Sequence, residues 1–202
     1  MRDDLTPGNA RTLARVGRRS AGGRTVSDTP ETLLDKQALY ELVLTYCRAC
    51  DRRDFALIRS LYHDDAIDDH GSMFRGGPDE YVAWLPKVMS GFAATVHAIT
   101  NALFVVEGAR AEGELYTTAY HRTHPPNARE IIIGGRYLDR YERRGGVWKF
   151  LHRSLAQDYC RVQGVDADAY REFAAGAPPG RPDAQDPSYL ELSWFARGEK
   201  RA

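Results

Sequence analysis

The stretch after Gly91 constrains the fold more than any other part of the chain. Four segments, TVHAITNALFVVEG, RAEGELYTTAYHRT, REIIIGGRYLDRYERRGG and VWKFLHRSLAQDYCRV, follow one another with little between them except turn residues such as Glu107-Gly108 and Gly145-Gly146. They are rich in β-branched and aromatic residues, so they read as successive strands of an antiparallel meander. The residues ahead of them have a different period. Leu39, Val43, Tyr46, Cys47 and Cys50 repeat at the spacing of an amphipathic helix. Asp54 is placed to cap a second, short helix, FALIRSLY, ending near HDDA, and AIDDHGSMFRG then reads as a strand. In GPDEYVAWLPKVMSG, Pro78 suits a first helical turn and Pro86 is expected to kink or end the helix. Helices first and a meander afterwards predict an α+β domain, its helices packed on one face of a curved, mostly antiparallel sheet.

Composition sets the limits of that domain. With 202 residues, 43% of them hydrophobic, the chain can bury one substantial core. Residues 1–30 carry six arginines and few aliphatics, and are expected to form a flexible basic arm. The folded domain is expected over 31–165. Residues 166–202 are read as a C-terminal helix, a Pro/Gly-rich connector (AGAPPGRPDAQDPS) and an aromatic tail (YLELSWFARGE). A formal net charge of zero removes the broad positive field that nucleic-acid binding relies on. No apolar run has the length of a secretory signal or a membrane span, so a soluble, cytoplasmic protein with no membrane partner is expected. Three cysteines argue against a disulfide framework.

Strand parity then assigns faces. His97 falls with Thr95, Ile99 and Asn101, and Arg153 with Leu151 and Leu155, away from Trp148, Phe150 and His152. A curled sheet with the first helix across its mouth would bring Asp51, His97 and Arg153 together. Competing motifs are weaker. Cys47-Arg48-Ala49-Cys50 has CxxC spacing but occurs once and within a helix, so its cysteines read as packing. His121 and His124, three apart on a strand, point to opposite faces and lack a third ligand, so no metal site is expected. Gly134-Gly135 reads as a bulge or bend that helps the sheet curl, and DRYERR as a solvated strand face.

LLDKQALYELVLTYCRACDRRDFALIRSLYHDDA, TVHAITN, IIIGGRYLDRYERRGGVWKF and LHR, taken in order, resemble the SnoaL-like branch of the NTF2-like superfamily. The motifs are closest to those of hexachlorocyclohexane dehydrochlorinase and bile-acid 7α-dehydratase, and more distantly to scytalone dehydratase. The resemblance covers roughly residues 33–162. It implies a cone-shaped α+β barrel and an Asp–His dyad that removes a proton from carbon without metal or organic cofactor. Carried over by motif, the dyad falls on Asp51 and His97. The pocket arginine falls on Arg153, and a catalytic tyrosine on Tyr46. His97 would be the base, steadied by Asp51, with Arg153 and Tyr46 donating to the departing group or a developing oxyanion.

Parity together with the family register turns Asp68, His70, Thr118, Tyr120, Ile133 and Tyr137 inward as substrate-binding residues. The dehydrochlorinase is apolar where Asp68 and His70 fall, and the tyrosines suit a hydroxylated or phenolic ring. The expectation is a cofactor-independent lyase eliminating water from a small cyclic substrate. The alternatives are carbon–carbon cleavage of an aromatic side chain with loss of formaldehyde, enone isomerisation, or a noncatalytic ligand-binding or accessory role. A homo-oligomer, dimer or trimer, is expected through the sheet's outer face, with Trp148 and Phe150 on it.

Overall fold

The computed structural model describes residues 18–19, 25–26, 28–174, 176–195 and 197–198. The chain forms two compact units, Met1–Leu34 and Asp35–Ala202. In the first, β1 (Arg18–Arg19) pairs antiparallel with β2 (Thr25–Val26). The rest of the basic arm expected over residues 1–30 lies, up to residue 27, outside the described residues. Thr29 and Thr32 exchange backbone-to-hydroxyl hydrogen bonds of 2.8 and 3.2 Å at the start of α1 (Pro30–Asp51).

In the second unit, α1 buries Leu39, Leu42, Val43, Tyr46, Cys47 and Cys50, the apolar stripe its sequence carries. α2 (Phe55–Ser60) is capped by Asp54, which accepts from the Leu57 N–H at 3.1 Å. It stops before HDDA, which belongs instead to β3 (Tyr62–Asp69). β3 turns back into β4 (Arg75–Gly76). α3 (Pro78–Met89) runs through Pro86 without ending there. The proline lacks one donor, but its carbonyl still accepts from Ser90 N–H at 3.0 Å. Tyr81, Leu85 and Met89, one turn apart, hold the helix on the core across that point.

β5 (Phe92–Glu107), β6 (Arg110–Thr123), β7 (Arg129–Arg144) and β8 (Val147–Gly164) form the antiparallel meander. The sheet order is β4-β3-β8-β7-β6-β5, with β3 parallel to β8. The sheet is therefore mixed and not closed, with β4 and β5 at its edges, and the expected α+β arrangement of helices on a curved, mostly antiparallel sheet is what the chain forms. The Tyr46 ring packs edge-on against Tyr137 and Phe150, at 6.2 and 5.8 Å, and so locks α1 to the sheet.

Two departures from strict alternation correct the parity reading. Arg140 pairs with His152 while Tyr141 pairs with Phe150, which leaves Leu151 as an extra residue in β8. That bulge puts Trp148, Phe150 and Arg153 on one buried face. Trp148 and Phe150 are thus core residues, and the outer face exposes Val96, Leu103, Tyr116 and Leu138 instead. A second irregularity, between Ile99 and Ala102, turns Asn101 out to solvent. DRYERR is only half solvated, since Asp139 and Tyr141 face the core.

The glycine pair sits opposite another extra residue in β8: Gly134 pairs with Tyr159 and Gly135 with Gln157, skipping Asp158. A Cβ on Gly135 would run into the Ala156 carbonyl oxygen, so the curl needs glycine there. After β8 come α4 (Ala167–Ala174) and α5 (Pro187–Glu191). Among the described residues no helix is long and apolar enough to cross a membrane.

Candidate active site

Asp51 is the last residue of α1, and β5 answers it. Thr95 and His97 share one face of that strand, two residues apart. Because β5 is an edge strand, alternate backbone N–H groups have no ladder partner, and that of His97 donates to Asp51 Oδ2 at 3.0 Å. Asp51 Oδ1 accepts from the Thr95 hydroxyl at 3.0 Å and pairs with His97 Nδ1 at 2.7 Å. Three donors on one carboxylate fix its orientation. The acceptor fixes the imidazole tautomer, with the proton on Nδ1 and Nε2 left as the basic nitrogen. The two side chains are only 12% and 10% exposed, so the pair is largely withdrawn from water without being sealed.

His121 completes this end of the site. It lies opposite Thr95 in the β5–β6 ladder, its ring 5.6 Å from His97 and 4.7 Å from Phe92. Burial first, and His97 second, bring its pKa down from 6.5 to about 4, which keeps the ring neutral. Its Nδ1 is buried with no hydrogen-bond partner among the described residues. The HRTH spacing had marked His121 only as half of a rejected zinc pair. The other half, His124, is exposed, with its Nε2 3.2 Å from the Ser90 carbonyl. Among the described residues no group of three His, Cys, Asp or Glu is placed to hold a metal ion.

Arg153 is fully buried, and most of its fork is committed. Nε and Nη2 donate to Asp139 at 2.8 and 2.6 Å, and the guanidinium lies over the rings of Tyr46, Tyr137 and Phe150 at 4.1–4.3 Å. Among the described residues, only Nη1 is left without a partner. Asp139 also accepts from the Tyr141 hydroxyl at 2.7 Å. Sequence reasoning missed Asp139 because it took the charge run as solvated. Its parity with Tyr137 was the available signal.

Tyr46 shares a 2.6 Å hydrogen bond with Tyr81 of α3, a second residue the sequence did not single out. Burial holds both phenols well above the usual tyrosine range, so both remain neutral donors. Burial likewise pushes the thiol of Cys47 up to about 12 and that of Cys50 well above the ordinary thiol range, as fits packing groups.

The expected substrate-binding residues divide. Asp68 is fully buried, accepting the Tyr62 hydroxyl at 2.7 Å and pairing with His70 Nδ1 at 2.6 Å. Tyr137 is buried under Arg153, and Ile133, paired with Ala119, lies on the same face of β7. Thr118 and Tyr120 lie on the opposite face of β6, whose buried set is Ala111, Gly113, Leu115, Thr117 and Ala119. The Tyr120 hydroxyl donates to Glu130 at 2.8 Å. A register misjudged by one residue inverts both positions, because the side-chain period of a strand is two.

The C-terminal segment braces the turn that follows Asp51. Arg52 pairs with Asp186 at 2.9 Å, and Arg48 donates to Tyr189 and Ser188 at 3.1 Å. Arg197 donates to the carbonyls of Arg52 and Arg53, and Gly198 N–H to Asp54.

Comparison with known proteins agrees with this architecture. The SnoaL-like domain family matches residues 31–154, and the chain belongs to that family. A hexachlorocyclohexane dehydrochlorinase from Novosphingobium barchaimii is 22% identical with a TM-score of 0.58, the match covering 68% of this chain and 94% of that one. A Novosphingobium aromaticivorans protein described as a candidate scytalone dehydratase is 24% identical with a TM-score of 0.58, covering 67% and 92%. A Kribbella flavida protein is 22% identical with a TM-score of 0.59, covering 64% and 95%. At these identities the likeness establishes the NTF2-like fold. No match is found among curated proteins.

Proposed function

We propose, with membership of the SnoaL-like family as the premise, that this protein is a lyase in which His97 abstracts a proton from carbon and Asp51 steadies the imidazolium that forms. The substrate is a small hydroxylated or phenolic cyclic compound, and the reaction is elimination of water, with no cofactor required. The single observation that carries this reading is the 2.7 Å contact between Asp51 Oδ1 and His97 Nδ1, on a carboxylate already anchored by Thr95 and a backbone N–H. Neutral imidazole is a serviceable base near pH 7, and a fixed carboxylate behind it removes the cost of finding the right tautomer.

Arg153 Nη1, the one unpaired corner of the fork, and the Tyr46–Tyr81 pair are the donors available to charge developing on oxygen. A ligand carrier of this fold would need no such paired base, and the same experiment separates the two. His97→Ala and Asp51→Ala, assayed on hydroxylated cyclic ketones by the absorbance of the new conjugated bond, should each lose about 10²–10⁴ in rate. Unchanged turnover in both variants would exclude the assignment.

A further inference from the structure

The protein holds a second carboxylate–imidazole pair, which the proposed proton abstraction leaves unused. Asp68, at the end of β3, is 0% exposed, and His70 follows two residues later in the turn toward β4. Its construction repeats that of the first pair. The carboxylate is anchored by a hydroxyl, here that of Tyr62, and the imidazole is bound through Nδ1 so that Nε2 remains. The His70 side chain is 14% exposed, close to the 12% of His97. Among the described residues His70 is the only basic side chain bonded to Asp68, because Arg153, its neighbour across the β3–β8 ladder, is committed to Asp139.

Contacts tie the second pair to the helix that carries Asp51. Tyr46 lies roughly one and a half turns before Asp51 on the same helix. Its hydroxyl is bonded to that of Tyr81, and the His70 ring stacks on the Tyr81 ring at 5.5 Å and 24°. The Tyr46 ring also covers the Arg153 guanidinium, beside Asp68 on the ladder. The chain His70–Tyr81–Tyr46 thus reaches α1, the helix whose last residue is Asp51.

Elimination of water has two proton tasks, one at carbon and one at the departing oxygen, and hydroxide is a poor leaving group unless protonated as it departs. We propose that His70 is the general acid of the elimination for which His97 is the base, an inference that rests on the lyase reading above. His97 Nε2 takes the proton from the carbon next to the substrate's carbonyl. The electrons of that C–H bond form the new C=C bond as the C–O bond breaks. The hydroxyl oxygen takes the Nε2 proton of the His70 imidazolium and leaves as water. His97 ends protonated and His70 neutral, and exchange with solvent restores both, so the balance is substrate to alkene plus water. Asp68 is a positioning residue that holds His70 through Nδ1.

Two reactions separate the roles. Exchange of the α-hydrogens of cyclohexanone with D2O, followed by NMR, needs a base and no leaving group. Dehydration of 3-hydroxycyclohexanone, followed by enone absorbance, needs both. His70→Asn keeps an amide at the Nδ1 position to bond Asp68 but has no proton to transfer. It should lower dehydration roughly a hundredfold more than it lowers exchange, with the thermal midpoint unchanged, and Asp68→Asn should follow the same split. Equal loss of both reactions in His70→Asn, or loss of neither, overturns the acid assignment. His97→Ala should abolish both, and full retention of both by that variant overturns the base reading itself. A wild-type protein that performs neither reaction overturns both assignments for β-hydroxy ketones.

Discussion

Arg153–Asp139, cross-strand partners in the β7–β8 hairpin, and Asp51–His97, joined from a helix and a strand 46 residues apart, are finished differently. The first is sealed: both side chains are 0% exposed, and Asp139 takes two guanidinium bonds and a phenol while three rings cover the arginine. The second is held as firmly on the carboxylate side but keeps one imidazole nitrogen uncommitted and a tenth of its surface open. A charge partnership that exchanges no proton can be buried completely. One proposed to exchange protons with a ligand has to keep a nitrogen within reach of it.

Breaking the sealed pair should have the largest effect. Asp139→Ala strands a buried guanidinium and should cost about 3–5 kcal/mol, read as a lower thermal or denaturant midpoint. The same truncation of Asp51 should cost far less stability than activity, and equal losses at both positions would erase the contrast.

His121 gives the next effect. Its folded value of about 4 lies below the ordinary 6.5, so the unfolded chain takes up the proton first as pH falls. The stability from keeping this ring neutral is complete above about pH 6.5 and is lost as pH falls toward about 4, at most about 3 kcal/mol in all. His121→Phe should flatten that part of the stability–pH curve measured by denaturant titration.

Gly135→Ala should cost about 1–3 kcal/mol through overlap with the Ala156 carbonyl. Gly134→Ala should cost less, because the obstructing Tyr159 ring is 54% exposed and can swing away. The smallest effect belongs to the brace behind Asp51. Arg52→Ala removes only the ion pair with Asp186, which keeps its bonds from the Arg181 and Ser188 N–H groups, and should cost about 1 kcal/mol or less, with a proportionate fall in rate if the brace steadies Asp51.

Much of this was legible before any coordinates. The helix carrying Tyr46 and Asp51 is written in an apolar stripe at helical spacing, and Asp54 as its neighbour's cap is a three-residue matter. Thr95 and His97 share a face because two residues separate them on an uninterrupted stretch of strand. Other residues were out of reach of local rules. Trp148 and Phe150 were read outward because one extra residue, Leu151, inverts the alternation between them and Arg153. Asp139 was hidden in a run of alternating charge, and Thr118 and Tyr120 were turned by a one-residue error of register.

The sequence by itself determined the order of helices and strands and the pairing of chemical types, because periodicity, capping and turn formation act over a few residues. Tertiary structure alone decided which strand slides against which, where β8 bulges, that β3 joins it in parallel, and which of two buried carboxylates meets an arginine or an imidazole. Those outcomes depend on how whole elements pack against one another. A shift of one position there costs little locally and reverses every side chain that follows.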